Sequence, residues 1–211
     1  MTPGELLQVC LRRDSSRPLV TWYDDATGER VELSVATAAN WAAKTANLLD
    51  DEDIDVVRLD PANHWLAAVV ALGAWTGGVP VDTGAGEPLP GDPRAFPPRV
   101  LAQPDALLVP SPPPSTPALR AGDRAWTLAE LGAAAVQAAA HHAVAAGSRL
   151  LSTLALDSLD GLDAGLLIPL AVDGSVVLVM NADEEKLARR AADERATHTV
   201  GVDLAGLPRL G

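Results

Sequence analysis

Residues 55–81, DVVRLDPANHWLAAVVALGAWTGGVPV, carry the reading that decides the fold. Asp55-Val56-Val57-Arg58-Leu59 has the composition of a short buried strand. Asn63 to Trp75 is a mostly apolar helix, and Val79-Pro80-Val81 resumes as a strand after Gly77-Gly78. Strand, helix and strand in that order favour a parallel pair with the helix laid across one sheet face. The uncharged run Pro61 to Val81 is broken by Asn63, His64, Gly77, Gly78 and Pro80, so it reads as a buried helix turning into a strand and not as a membrane span.

Toward the N-terminus, Gly4 to Leu11 is amphipathic. Leu19-Val20-Thr21-Trp22-Tyr23 and Glu29-Arg30-Val31-Glu32-Leu33 flank the turn-rich spacer Asp24 to Gly28, which predicts a hairpin. From Ser34 a helix follows in which Val35, Ala38, Ala42, Ala46 and Leu49 form the apolar stripe, with Asn40, Lys44 and Asn47 outside it. Toward the C-terminus, prolines crowd the segment Gly84 to Gly122, which predicts an irregular, protease-sensitive connection with one short strand at Asp105 to Val109.

The pattern then restarts. Thr127-Leu128-Ala129-Glu130 is a capping-box sequence opening an alanine-rich helix that runs to about Ala146. Arg149 to Leu156 reads as a strand, Leu162 to Ala171 as an apolar helix interrupted by Pro169, and Ser175 to Met180 as a buried strand. The two halves share one order of elements, either as a duplication or as unrelated segments obeying the same packing rules. The expected fold is α/β: two similar layered βαβ subdomains with mostly parallel sheets flanked by helices, over residues 1–84 and 124–211, joined by the proline-rich connection 85–123.

Composition narrows the function classes. A formal net charge of −12 repels polyanions, so neither nucleic acid nor an anionic membrane is an expected partner. Cys10 is the single cysteine, which excludes an intrachain disulfide and a thiolate metal cluster and suits a reducing, cytoplasmic setting; its apolar neighbours make it a core residue. No secretory signal is visible at the start. His141 and His142 are adjacent on a helix and point about 100° apart, so they cannot chelate one metal. His64 and His198 lie in separate segments. No G-x-S-x-G, Walker, G-x-G-x-x-G or C-x-x-C pattern occurs, and no metal or cofactor is assigned.

Several strings resemble the N-terminal domain of the AMP-forming acyl-CoA synthetase, luciferase and peptide-synthetase adenylation superfamily. Leu33-Ser34-Val35-Ala36-Thr37-Ala38 is similar to that family's T-Y-x-E-L helix start, with Thr37 in place of Glu. Ala71 to Val81 resembles its helix and G-A-hydrophobic-hydrophobic-P turn, and Ile168 to Leu178 its later "pL-small-x-G-x-x-V-V-L" strand. Glu194 to Val202 resembles the family's "vT-x-x-x-G-V-P" stretch. The resemblance covers nearly all of this chain but only the front of the enzymes, and looks most like a short actinobacterial family of such truncated domains.

The resemblance implies a phosphate loop, T-S-G-T-T-G-x-P-K, after the strand ending at Val109. Five of the first eight residues from Pro110 are proline, which has no N–H to offer a phosphate. Ser111, Ser115, Thr116 and Arg120 are the side-chain donors left at that position. Lys44 and Lys186, the two lysines, both sit on amphipathic helices and read as solvated. The acyl-pocket motif is replaced by Leu156-Asp157-Ser158-Leu159-Asp160-Gly161-Leu162. The expected function is therefore a non-catalytic, adenylation-domain-like interaction or small-molecule-binding module with no catalytic residue assigned; the alternative is a residual enzyme binding an acyl, CoA-like or nucleotide ligand. A homodimer or protein partner is expected to cover the apolar runs Trp65 to Trp75 and Leu162 to Val179.

Overall fold

The structure, a computed structural model, describes residues 1–210. Helix α1 (Pro3–Arg13) begins where Thr2 and Glu5 satisfy each other's backbone N–H groups, and it buries Leu6, Leu7 and Cys10. Strands β1 (Pro18–Asp24) and β2 (Arg30–Ser34) form the expected antiparallel hairpin, and the Ser34 side chain caps helix α2 (Val35–Asp51). The deciding stretch becomes β3 (Val57–Asp60), α3 (Trp65–Gly77) and β4 (Val81–Asp82), with β3 and β4 parallel neighbours. Gly78 ends α3 at φ 79°, where a side chain would be strained and would strike Pro112.

Next come β5 (Glu87–Pro90), α4 (Phe96–Leu101), and a second antiparallel hairpin, β6 (Pro117–Ala121) and β7 (Arg124–Thr127). Helix α5 (Leu128–His141) opens on the predicted Thr127–Glu130 capping box. Strand β8 (Arg149–Ser152) leads to a helical stretch made of α6 (Leu159–Leu162), a π-helical turn (Asp163–Leu167) and α7 (Ile168–Ala171). The chain closes with β9 (Ser175–Met180), α8 (Glu184–Asp193), β10 (His198–Val200) and β11 (Arg209–Leu210).

Two mostly parallel sheets result, ordered β11-β10-β8-β9-β1-β2 and β5-β3-β4-β6-β7. Within them β5-β3-β4 and β10-β8-β9 are the same arrangement: a βαβ pair, with the next strand added on the far side of the first. The similarity of the halves is thus topological. Each hairpin, however, completes the other sheet. β1 lies parallel to β9, Val20 opposite Val176, while β6 lies parallel to β4, Val81 opposite Leu119. The sheets therefore do not follow the contiguous division at residues 84 and 124.

The proline-rich segment is more ordered than its composition predicts, since it supplies β5, α4 and β6. Its one expected strand, Asp105 to Val109, does not form. Side chains of α2 hold that segment instead: Asn47 donates to the carbonyls of Pro104 (3.2 Å) and Ala106 (2.9 Å) and accepts from the Leu108 N–H (2.8 Å). Lys44 is corrected with it. The side chain is buried, pairs with Asp105 at 2.9 Å and donates to the Gln103 carbonyl, because the loop lies over the helix face that the pattern assigned to solvent.

Pro169 does not interrupt its helix. In the widened turn before it the Ile168 N–H reaches back to the Asp163 carbonyl, so the helix is continuous through the residue that lacks a donor. The alanine-rich helix stops at His141, short of Ala146, as Ala143 turns to positive φ. The apolar runs expected to need an outside partner are covered from within: the hydrophobic residues from Leu66 to Trp75 are at most 2% exposed, and those from Leu162 to Leu170 at most 3%. No helix among the described residues is long and apolar enough to cross a membrane.

Candidate functional site

The start of α5 is a helix N-terminus, where free N–H groups can in general receive an anion. Here those groups are taken. The Leu128 N–H donates to the Thr116 carbonyl and the Ala129 N–H to the Pro114 carbonyl, both at 2.9 Å, while Glu130 N–H donates to the Thr127 hydroxyl at 3.3 Å. The Thr116 N–H turns back to Pro113. The proline segment thus offers carbonyl oxygens where an anion would need donors. The four side chains of this position are not gathered: Ser111 lines a groove, exposed Ser115 lies in a turn, Thr116 packs its methyl toward Gly78, and exposed Arg120 sits on β6.

The carboxyl ends of parallel strands are the usual ligand position in open α/β sheets. At β3 and β4, Arg58, Asp82, Thr83, Leu156 and Asp157 border a space of about 10 Å³, which holds at most one water.

The larger cavity, about 720 Å³, is a groove between α1, the end of α3 and the proline segment. Its size is that of a small-molecule site. One wall is the face of α1 carrying Glu5, Gln8, Val9 and Arg12, and Trp75 and Thr76 lie beneath it. The Trp75 indole is buried and donates to the Ala118 carbonyl at 3.0 Å, which fixes the ring. Ser111, Pro112 and Pro114 form the opposite wall with Leu107.

That wall is stiff for a reason visible in its sequence. Val109, Ser111, Pro112 and Pro113 each precede a proline, which restricts all four to extended or polyproline II backbone with three residues per turn. Exposure follows the period. Val109 and Pro112 are half-buried, Pro110 and Pro113 face outward, and Ser111 and Pro114 both line the groove. Sequence reasoning did not single out Gln8, Arg12, Trp75 and Leu107, which line this groove; the Glu5, Gln8, Arg12 spacing on one helix face was the available signal.

Burial pushes the Cys10 thiol up to about 11, and its Sγ lies 3.7 Å from the Leu170 carbonyl, as a core cysteine should. His64 caps α3 by accepting the Leu66 N–H and packs tilted against Trp22 with ring centroids 4.8 Å apart. His198 is buried in β10 beside Thr197, exposed Lys186 pairs with Asp183 at 3.0 Å, and no metal-binding cluster exists among the described residues.

Asp163, in the π turn, has a buried Oδ1 without a partner, and burial followed by the charge of Asp160 raises its carboxyl to about 6. Because the folded state holds this proton more tightly than the unfolded chain, stability falls as pH rises from about 4 to about 6. Asp163→Asn is therefore expected to stabilise the protein near neutral pH by about 1–2 kcal/mol, after allowance for partial exposure, and to change nothing near pH 4. Urea denaturation at the two pH values checks this, and an equal gain at both would contradict it.

No family model matches the chain. A TIGR03089 family protein of Mycobacterium tuberculosis (strain H37Rv) is 34% identical, with 93% of this chain and 97% of the relative covered. Among solved structures, ATP-bound MatB from Rhodopseudomonas palustris superposes with a TM-score of 0.76 at 16% identity. The adenylation domain of a keto acid-selecting peptide-synthetase module gives 0.77 at 11%, and the fatty acyl-adenylate ligase from L. pneumophila 0.73 at 9%. Each covers 95% of this chain, which spans 49%, 46% and 44% of theirs. The two layered sheets place this chain in the fold of the N-terminal domain of adenylate-forming enzymes, and its identity with the mycobacterial protein shows that it belongs to the TIGR03089 family.

Proposed function

We propose that the protein is a non-catalytic binding module on an adenylate-forming fold, which takes a small molecule in the groove beside α1 and does not activate a carboxylate with ATP. The observation that carries this reading is the start of α5: its first three N–H groups are bonded to Thr116, Pro114 and Thr127, so this helix start holds the proline segment and has none of those donors free for an anion. Lys44, tied to Gln103 and Asp105, and Lys186, paired with Asp183, give no free ammonium for the charge of a transferring phosphoryl group. The rigid wall of Ser111 and Pro114 supports binding in the groove, since pre-organised surfaces lose little entropy on association.

Carboxylate-dependent exchange of labelled pyrophosphate into ATP tests the proposal. No exchange above a heat-killed control is expected with a broad panel of carboxylic acids. Exchange that requires both the acid and ATP, and that disappears in Lys186→Ala while the variant stays folded, would overturn it.

A further inference from the structure

We infer that the groove takes a singly charged anion with an elongated apolar body, the anion held at Arg12 and the body lying over Met1 and Leu107. This rests on the reading of the groove as a binding site. Along α1, Glu5 and Arg12 are seven residues apart, a rise of roughly 10 Å, so the groove has an acidic and a basic end. The acidic end is engaged, because the Glu5 carboxylate accepts the Thr2 N–H at 2.7 Å within the capping box. The basic end is free. Arg13 and Arg17 both pair with Asp173, at 3.2 and 2.5 Å, whereas Arg12 makes no ion pair among the described residues.

Two neutral donors supplement Arg12. The Gln8 amide and the Ser111 hydroxyl line opposite walls, and neither has a hydrogen-bond partner among the described residues. Between the ends the lining is more apolar than polar. Met1 and Leu107, 65% and 38% exposed, are two of the five exposed large hydrophobic side chains, and both border the groove. Apolar surface gathered at one concavity is what a ligand's hydrocarbon part covers. Charge count sets the anion's valence: with 28 acidic against 16 basic residues the protein repels anions at long range, and the repulsion grows with each charge the ligand carries. One guanidinium suits one negative charge.

The test uses decanoate, decanol and decyltrimethylammonium as probes, each titrated below its aggregation limit and followed by calorimetry and by Trp fluorescence. Decanoate is expected to bind one molecule per chain and more tightly than decanol, with the cation weakest. Arg12→Glu should weaken decanoate about tenfold or more while leaving decanol unchanged, since an ionic hydrogen bond of ordinary strength accounts for that factor. Gln8→Trp, a change at an exposed position, should block the groove and abolish binding of both. Equal affinity for the anion and the cation, or decanoate binding indifferent to Arg12→Glu, would overturn the ligand class; if Gln8→Trp still removes decanol, the groove survives as a binding site. No saturable binding of any probe, or binding that Gln8→Trp leaves intact, would overturn the groove itself.

Discussion

Gly161→Ala is expected to cost about 3 kcal/mol or more of stability and to lower the melting temperature by about 10 °C. Gly161 is buried in the first turn of α6, where the Ser158 hydroxyl accepts its N–H at 3.1 Å. A Cβ there would stand 1.8 Å from the Ala155 carbonyl oxygen and 2.9 Å from its carbon, so backbone has to move. The loop cannot simply retreat. Leu156 donates its N–H to Ala62 at 2.9 Å, across to the turn after β3, and its side chain fills the space beside Gly165, whose own Cβ would lie 2.4 Å from it. Gly4→Ala is the control: its nearest neighbours are 3.9 Å away, so the added methyl should be neutral or slightly stabilising in a helix. Urea denaturation of both variants decides, and a Gly161→Ala protein within about 0.5 kcal/mol of wild type would show that the loop yields.

Loss of Glu194 is expected to be comparably severe. Its carboxylate, 12% exposed, accepts hydrogen bonds from Tyr23, Arg149 and Arg30 and so joins both ends of one sheet's chain path, β1 and β2 on one side and β8 on the other. Arg190 stacks on the other part of the cluster, 4.1 Å from the Tyr23 ring centroid, and pairs with Asp25 at 2.6 Å. Glu194→Ala leaves the half-buried Arg149 guanidinium without its counter-charge, a change that costs about 3 kcal/mol in such settings. Burial by itself would raise the Glu194 carboxyl, but the hydrogen bonds from Tyr23 and Arg149 and the charges of Arg149 and Arg30 outweigh it and hold the group below its ordinary range. Its contribution is therefore present in full above the unfolded chain's value, about 4.5, and is lost as pH falls below that. Wild type and variant should converge in acid. A variant whose deficit is the same at about pH 3.5 as at pH 7 would show that the effect is lost packing and not lost charge pairing.

Much of the fold was legible because it depends on local pattern. The hairpin at Asp24 to Gly28, the Thr127–Glu130 capping box, the β3-α3-β4 unit and the strand at Ser175 to Met180 all rest on turn chemistry, backbone satisfaction or a run of apolar residues, and all appear in the structure. The segment 102–116 was misread because its partners lie elsewhere in the chain. Asp105 to Val109 has strand composition, but its backbone bonds to Asn47, a residue that the periodicity of α2 turns away from the core. The candidate site divides in the same way. That the proline residues from Pro110 have no N–H to offer could be read directly, whereas the groove needed α1, α3 and the proline segment to be brought together.

By itself the sequence determined an α/β protein with two similar sets of elements and a stiff proline segment poor in backbone donors, since helix caps, strand runs and proline geometry act within a few residues of chain. Only the tertiary structure decided which sheet each hairpin joins. β1 and β6 are both short apolar strands that could extend either parallel sheet, and the edge each one takes is set by packing across more than a hundred residues in the case of Val20 and Val176. It also decided that Lys44 and Asn47 face a loop and not water, because burial of a polar side chain requires partners that periodicity along one helix cannot supply.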